Sequence, residues 1–96
     1  MKIEWTETAQ SHLLHLDTYL FERSPAGADR LVDRIVAVVG SLDRFPLSGK
    51  PGRVDGTREL VVPSTSYIVA YRIHHEAVHV LAIMHGAQRW PAFFDE

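Results

Sequence analysis

The residues His75-Glu76-Ala77-Val78-His79 spell a His-Glu-x-x-His pattern. On a helix this pattern puts two imidazoles on one face beside a glutamate base, the arrangement that holds a hydrolytic zinc ion. The chemistry depends on the helix. Helical geometry separates such histidines by roughly 6 Å along the axis, whereas a strand separates them by roughly 13 Å, too far for one metal. The surrounding residues alternate with a period of two, and His75-Glu76 falls where a turn between strands is expected. The spacing therefore predicts no metal site, and a zinc hydrolase is the least favoured reading.

Other candidate groups are quieter. His12 and His15 lie three apart on a predicted helix and could face a shared ligand, although exposure beside a core stripe is the default for such a pair. Lys50 and Arg53 sit among glycines, yet no lysine is followed by Ser or Thr after the glycine spacing of a phosphate-cradling loop, so a plain turn is expected. No serine occupies a Gly-x-Ser-x-Gly elbow, and no pair of carboxylates stands out for acid/base work. What remains is Arg58, Arg72, His85 and Arg89, with Tyr67 and Trp90 near in sequence. Arginine and tryptophan at strand ends make good anchors for a protein partner, combining contact area with hydrogen-bond donors. The alternative puts Arg58 and Arg72 on a solvated face, paired with Glu59 or Asp55; residue types alone weigh the two evenly.

The elements that must position these residues follow from periodicity. Residues 2 to 5 read as a strand, with Thr6 as N-cap and Glu7 favourably placed on the helix dipole. Ala9, Leu13, Leu16 and Leu20 form one apolar stripe. Ser24-Pro25 is a second cap with proline in the first turn, and Ala28, Leu31, Val32, Ile35, Val38, Val39 and Leu42 extend the stripe until Phe45-Pro46. The short link at Glu22 to Ser24 makes the two helices an antiparallel hairpin. Pro46 to Gly56, with three glycines and two prolines, reads as a sharply turning loop. Arg58–Val62, Tyr67–His74 and Ala77–His85 are then three consecutive antiparallel strands. Tyr67, Val69, Tyr71 and Ile73 should face the core, leaving Ile68, Ala70, Arg72 and His74 on a mixed face. The expected class is α+β in the order β-α-α-β-β-β, a helical hairpin on a small, mostly antiparallel sheet. Residues 1–90 make one domain, and 91–96 a short tail, loosely held at its end.

Bulk properties bound the function. The 96 residues carry one core, and 46% hydrophobic with 23% charged residues is an ordinary globular balance. With no cysteine, disulfides, thiol chemistry and cysteine-bound zinc are excluded. No apolar run follows the N-terminal residues, so neither signal peptide nor membrane span is expected and a cytoplasmic location is the default. A net charge of −2 counts against a ligand bound mainly through many phosphates.

Ile3-Glu4-Trp5-Thr6, the hairpin ending in Phe45-Pro46, Gly49-Lys50-Pro51-Gly52-Arg53 and Gly56-Thr57-Arg58-Glu59-Leu60-Val61-Val62 together resemble the RelE/ParE toxins of type II toxin–antitoxin systems. Tyr67-Ile68-Val69-Ala70-Tyr71-Arg72 and His85-Gly86-Ala87-Gln88-Arg89-Trp90-Pro91 extend the resemblance over nearly the whole chain. It implies a growth-inhibiting toxin without cofactor, such as those of plasmid stabilisation modules, neutralised by a cognate antitoxin in a hetero-oligomer; a homodimer through exposed apolar positions such as Leu14 and Phe21 is the alternative assembly when that partner is absent. It also implies one of two targets. RelE-like members cut messenger RNA on the ribosome; ParE-like members inhibit DNA gyrase. In the nuclease branch, basic residues stand two apart on the strand before Pro63, and an arginine stands on the next strand. Here those places hold Glu59, Val61 and Ile68. Isoleucine can neither stabilise phosphorane charge nor move a proton. The reading thus favours a ParE-like, non-enzymatic inhibitor of gyrase whose target contacts are Arg58, Arg72, Arg89 and Trp90. The alternative is a ribosome-dependent, metal-independent endoribonuclease using His85, Arg89 and Arg58, and a further one an inactive antitoxin binder. Leu14 and Phe21, apolar positions beside the core stripe, are the expected antitoxin contacts.

Overall fold

A computed structural model describes residues 1–94. Strand β1 (Lys2–Trp5) leads through Thr6 into helix α1 (Glu7–Phe21), and helix α2 (Pro25–Gly40) returns antiparallel to it. Both caps expected from sequence are made. The Thr6 hydroxyl accepts from the Ala9 N–H at 3.2 Å and that of Ser24 from Gly27 at 3.1 Å, each satisfying an orphan donor of a first turn. The apolar stripe outlasts the α-helix: α2 stops at Gly40, and a 3₁₀ turn, Ser41–Asp43, carries Leu42 into the core.

Strands β2 (Lys50–Pro51), β3 (Arg58–Val61), β4 (Tyr67–His74) and β5 (Ala77–His85) complete one sheet of order β1-β5-β4-β3-β2. The three-strand meander is as read from sequence. Two pairings are not. The glycine-rich segment is more than a loop, since Lys50 and Pro51 pair with Glu59 and Arg58 as an edge strand. β1 joins the far edge parallel to β5, with Lys2 opposite Ala77 and Trp5 opposite Val80.

The helices cover one sheet face, where Ile3, Trp5, Leu13, Leu16, Tyr67 and Ile73 pack around a core of Ala9, Ile35, Val39, Leu42, Val69, Tyr71, Val78 and Val80. β5 changes sides along its length. Its partners on β4 jump from Ala82 to Val80 between Ala70 and Tyr71, leaving Leu81 as an extra residue. That one-residue bulge reverses the in–out parity. Val78 and Val80 face the helices, whereas Ala82 and Met84, also even-numbered, join Ala70 on the opposite face. Thr6 fastens the site: its N–H and hydroxyl both donate to the Val80 carbonyl, at 3.1 and 2.9 Å. The chain after β5 crosses this second face, where Trp90 and Phe94 pack against Ala70, Ala82 and Met84. The tail is anchored there, and residues 95–96 lie outside the described part. No helix among the described residues is long and apolar enough to cross a membrane.

Candidate functional site

The His-Glu-x-x-His residues do not form a metal centre. His75 and Glu76 have left-handed backbones (φ 49° and 59°) and make the tight turn joining β4 to β5. His79 lies inside β5, its Nδ1 3.4 Å from the Glu4 carboxylate. His85, ten residues after His75 and thus at the spacing of a third zinc ligand, lies at the far end of the same strand, roughly 20 Å from His79. Among the described residues no group of three His, Cys, Asp or Glu side chains could hold a metal ion.

Two other clusters form. The first lies where β2 meets β3. Glu59 is almost fully buried, with a side chain 2% exposed. Its carboxylate accepts from the Arg53 backbone N–H at 2.7 Å and from Nε and Nη2 of the same arginine at 3.1 Å each. Burial pushes the Glu59 carboxyl up, but the Arg53 hydrogen bonds and charge, with the charge of Lys50, outweigh it and hold the group below its ordinary value. The other side of Arg53 lies on Trp90, with the guanidinium 3.8 Å from the ring centroid. Arg53, rather than Arg58 or Arg72, is therefore the partner of Glu59. On the opposite face, Arg58 Nη1 donates to the Gly49 carbonyl at 2.7 Å. The Gly49 N–H donates to the Tyr71 hydroxyl at 2.9 Å, and that hydroxyl donates to the Pro46 carbonyl at 2.6 Å. This clasp fixes the segment ahead of β2.

The second cluster is a cavity of about 270 Å³ between α1 and the end of β5, lined by His12, His15, Leu16, Tyr19, Tyr67, Ile83, His85 and Gln88. His12 Nδ1 accepts from the Ile83 N–H at 3.2 Å. Burial, and then the charge of His15, push this imidazole below its ordinary value. His85 packs edge-on to Tyr67, with ring centroids 5.3 Å apart, and its Nδ1 accepts from the Ala87 N–H at 3.0 Å. Sequence spacing gave His12 and His15 as a pair and His85 separately; only the β5 bulge, which turns Ile83 and His85 toward the helices, brings them together.

The residues expected to touch a target divide between faces. Arg58 lies opposite Tyr71 and shares its Gly49 anchor, while Arg72, the next residue on β4, points to the other side, where Trp90 packs. Arg89 is exposed. Trp90 is half-buried, and its Nε1–H donates to the His85 carbonyl at 3.4 Å. Arg58 is also remote from His85: they pair with Tyr71 and Tyr67, four residues and roughly 13 Å apart along β4. Leu14 and Phe21, seven apart on one stripe of α1, are 64% and 55% exposed.

The family described as the ParE toxin of the type II toxin–antitoxin system parDE matches residues 3–90. Y4kP of Sinorhizobium fredii is 41% identical over 90 residues, spanning 94% of this chain and 93% of its own. Toxin RelE1 of Caulobacter vibrioides is 34% identical over 76 residues, spanning 77% and 81%. A solved chain described as the chromosomal ParDE TA system from P. aeruginosa superposes with a TM-score of 0.80 at 24% identity, over 88% of this chain and 95% of that one, and shares the fold.

Proposed function

Because the chain belongs to the ParE toxin family of type II toxin–antitoxin systems, we propose that it is a toxin silenced by a cognate antitoxin and that, when free, it inhibits DNA gyrase by binding rather than by catalysis. The observation that carries the second half of this reading is Glu59. It stands where the nuclease branch places a cation, and it consumes Arg53 in a closed ion pair. Val61 and Ile68, opposite each other in the β3–β4 ladder, offer that face no charge either. Metal-free RNA cleavage needs donors aimed at the developing phosphorane charge and a group to move protons. The set for that route, Arg58, His85 and Arg89, does not assemble: Arg58 is tied to the Gly49 carbonyl, roughly 13 Å along the sheet from His85.

Gyrase contact falls to the exposed Arg89 and to Arg72 and Trp90 on the tail-covered face, with Arg58 holding the adjoining segment. The antitoxin is assigned the α1 stripe bearing Leu14 and Phe21, as an amphipathic segment seats its apolar side on such a surface. Induced expression in a bacterial host tests the reading, scoring nucleoid morphology and DNA-damage response beside pulse-labelled translation, with supercoiling by purified gyrase as the direct assay. Early DNA damage with translation still running, and inhibited supercoiling, is expected. Immediate translation arrest with codon-phased messenger cleavage would overturn it, and unaffected growth would identify a chain that only binds antitoxin.

A further inference from the structure

The histidine-lined cavity between α1 and the end of β5 has no part in the proposed gyrase contact, yet its polar groups are biased one way. His12 and His85 each receive a backbone N–H at Nδ1, from Ile83 and Ala87. A neutral imidazole that accepts at Nδ1 carries its proton on Nε2. Both rings are thereby locked in one tautomer, and each keeps an Nε2–H that makes no hydrogen bond among the described residues. Gln88 follows the same logic, since its Oε1 accepts from the His85 N–H at 2.7 Å and leaves its amide –NH₂ as the remaining group. Backbone amides have used the one acceptor of each imidazole and one lone pair of the Gln88 amide oxygen, so the free groups are mainly donors. No carboxylate lines the cavity. The Arg23 guanidinium stacks on the Tyr19 ring, 3.7 Å from its centroid, one residue away from the lining.

A ligand for such a cavity must be rich in acceptors toward these three side chains. The remaining walls are Leu16, Ile83, the rings of Tyr19 and Tyr67 and the exposed His15 imidazole; the aliphatic and aromatic groups offer a planar group a surface beside the donors. The volume of about 270 Å³ lies near the lower end of small-molecule sites, roughly 300 Å³, so it suits a small organic phosphate better than a bare ion. We propose that this cavity binds the phosphate of a nucleoside monophosphate, with Nε2–H of His12, Nε2–H of His85 and the Gln88 amide as its donors and the tyrosine rings against the base. A carboxylate side chain of a protein partner is the competing acceptor, and the test separates the two.

The experiment uses the full 96-residue chain labelled with ¹⁵N and ¹³C. Long-range proton–nitrogen spectra of the imidazoles should show both His12 and His85 as the Nε2–H tautomer. Titration with adenosine 5′-monophosphate should move the His12, His85 and Gln88 side-chain signals along one saturating curve. Inorganic phosphate should move the same signals more weakly, and adenosine and acetate hardly at all. Gln88→Leu, at an exposed position, should keep the folded spectrum and raise the dissociation constant about tenfold, the expectation for one charge-assisted hydrogen bond. The His12→Gln variant can still accept from Ile83 while offering an amide N–H, so it should retain binding where His12→Leu loses it. An Nδ1–H tautomer at either ring, acetate or an acidic peptide matching the nucleotide, or no shift at these three residues would each overturn the assignment.

Discussion

Glu59 illustrates how one buried carboxylate can be read in opposite senses. In sequence it is an acidic residue where a nuclease carries a cation; in the fold it is the partner that orders Arg53, and through Arg53 the Trp90 indole. Burial alone would raise its pKa, and only Arg53 and Lys50 reverse the sign. A carboxyl depressed in the folded state contributes stability that is present above its ordinary value of 4.5 and lost as the pH falls through the folded value. Urea denaturation of the unsubstituted protein should therefore show stability declining as pH is lowered below about that point. In Arg53→Ala the side-chain hydrogen bonds and the guanidinium charge are lost while the residue-53 backbone N–H and the Lys50 charge remain. Burial is then less fully offset, the Glu59 pKa rises relative to the unsubstituted protein, and the stability this group adds toward neutral pH shrinks. At pH 7 the loss should be about 1–3 kcal/mol, set below that of a fully buried pair because Arg53 is 44% exposed. An unchanged pH profile in the variant would dismiss the ion pair as a determinant. Gly49 faces a steric version of the same crowding: a Cβ there would lie 2.6 Å from the Tyr71 hydroxyl oxygen and 2.9 Å from the Glu59 carbonyl oxygen. Gly49→Ala should cost about 1–3 kcal/mol by forcing the clasp apart, measurable as a lower urea midpoint with unchanged slope.

At the scale of elements, Thr6 joins three features at once. It ends β1, caps α1 and fastens the Val80 carbonyl beside the β5 bulge. Thr6→Val keeps the shape and removes the hydroxyl, so it should cost about 1–2 kcal/mol and speed amide exchange in the first turn of α1 and around Val80. Faster exchange confined to α1 would mean the bulge stands without it. The bulge also marks the limit of what was legible in sequence. Helices, caps and the three consecutive strands follow from local periodicity and turn chemistry, and so did the core face of β4, where Tyr67, Val69, Tyr71 and Ile73 keep strict alternation. β5 breaks that rule. Val78, Val80, Ala82 and Met84 share parity in sequence but divide between two faces, because an inserted Leu81 has no composition signal of its own. The same gap hid the meeting of His85 with His12. The parallel pairing of β1 and the two-residue β2 depend on long-range register, and neither short strand carries enough residues to show a period.

On the scale of the molecule, the sheet separates two surfaces. One side is closed by the helical hairpin, whose outward stripe carries Leu14 and Phe21; the other is crossed by the tail through Trp90 and Phe94. If antitoxin covers the hairpin while the target meets the tail-covered face, neutralisation need not compete directly for the residues that inhibit, and the two functions can be broken separately. Leu14→Asp with Phe21→Asp changes only exposed side chains, so folding should be unaffected, while affinity for the antitoxin should fall at least about tenfold through loss of apolar anchors. Cells carrying this variant should stop growing even when antitoxin is co-expressed. The complementary change, Arg89→Ala, should leave antitoxin affinity intact and relieve growth inhibition, because Arg89 is an exposed cation outside the Arg53–Glu59 pair. Calorimetric titration of each variant with antitoxin, beside growth curves with and without it, separates the surfaces. Should Arg89→Ala weaken antitoxin binding as much as toxicity, the partner wraps both faces and neutralises by occlusion.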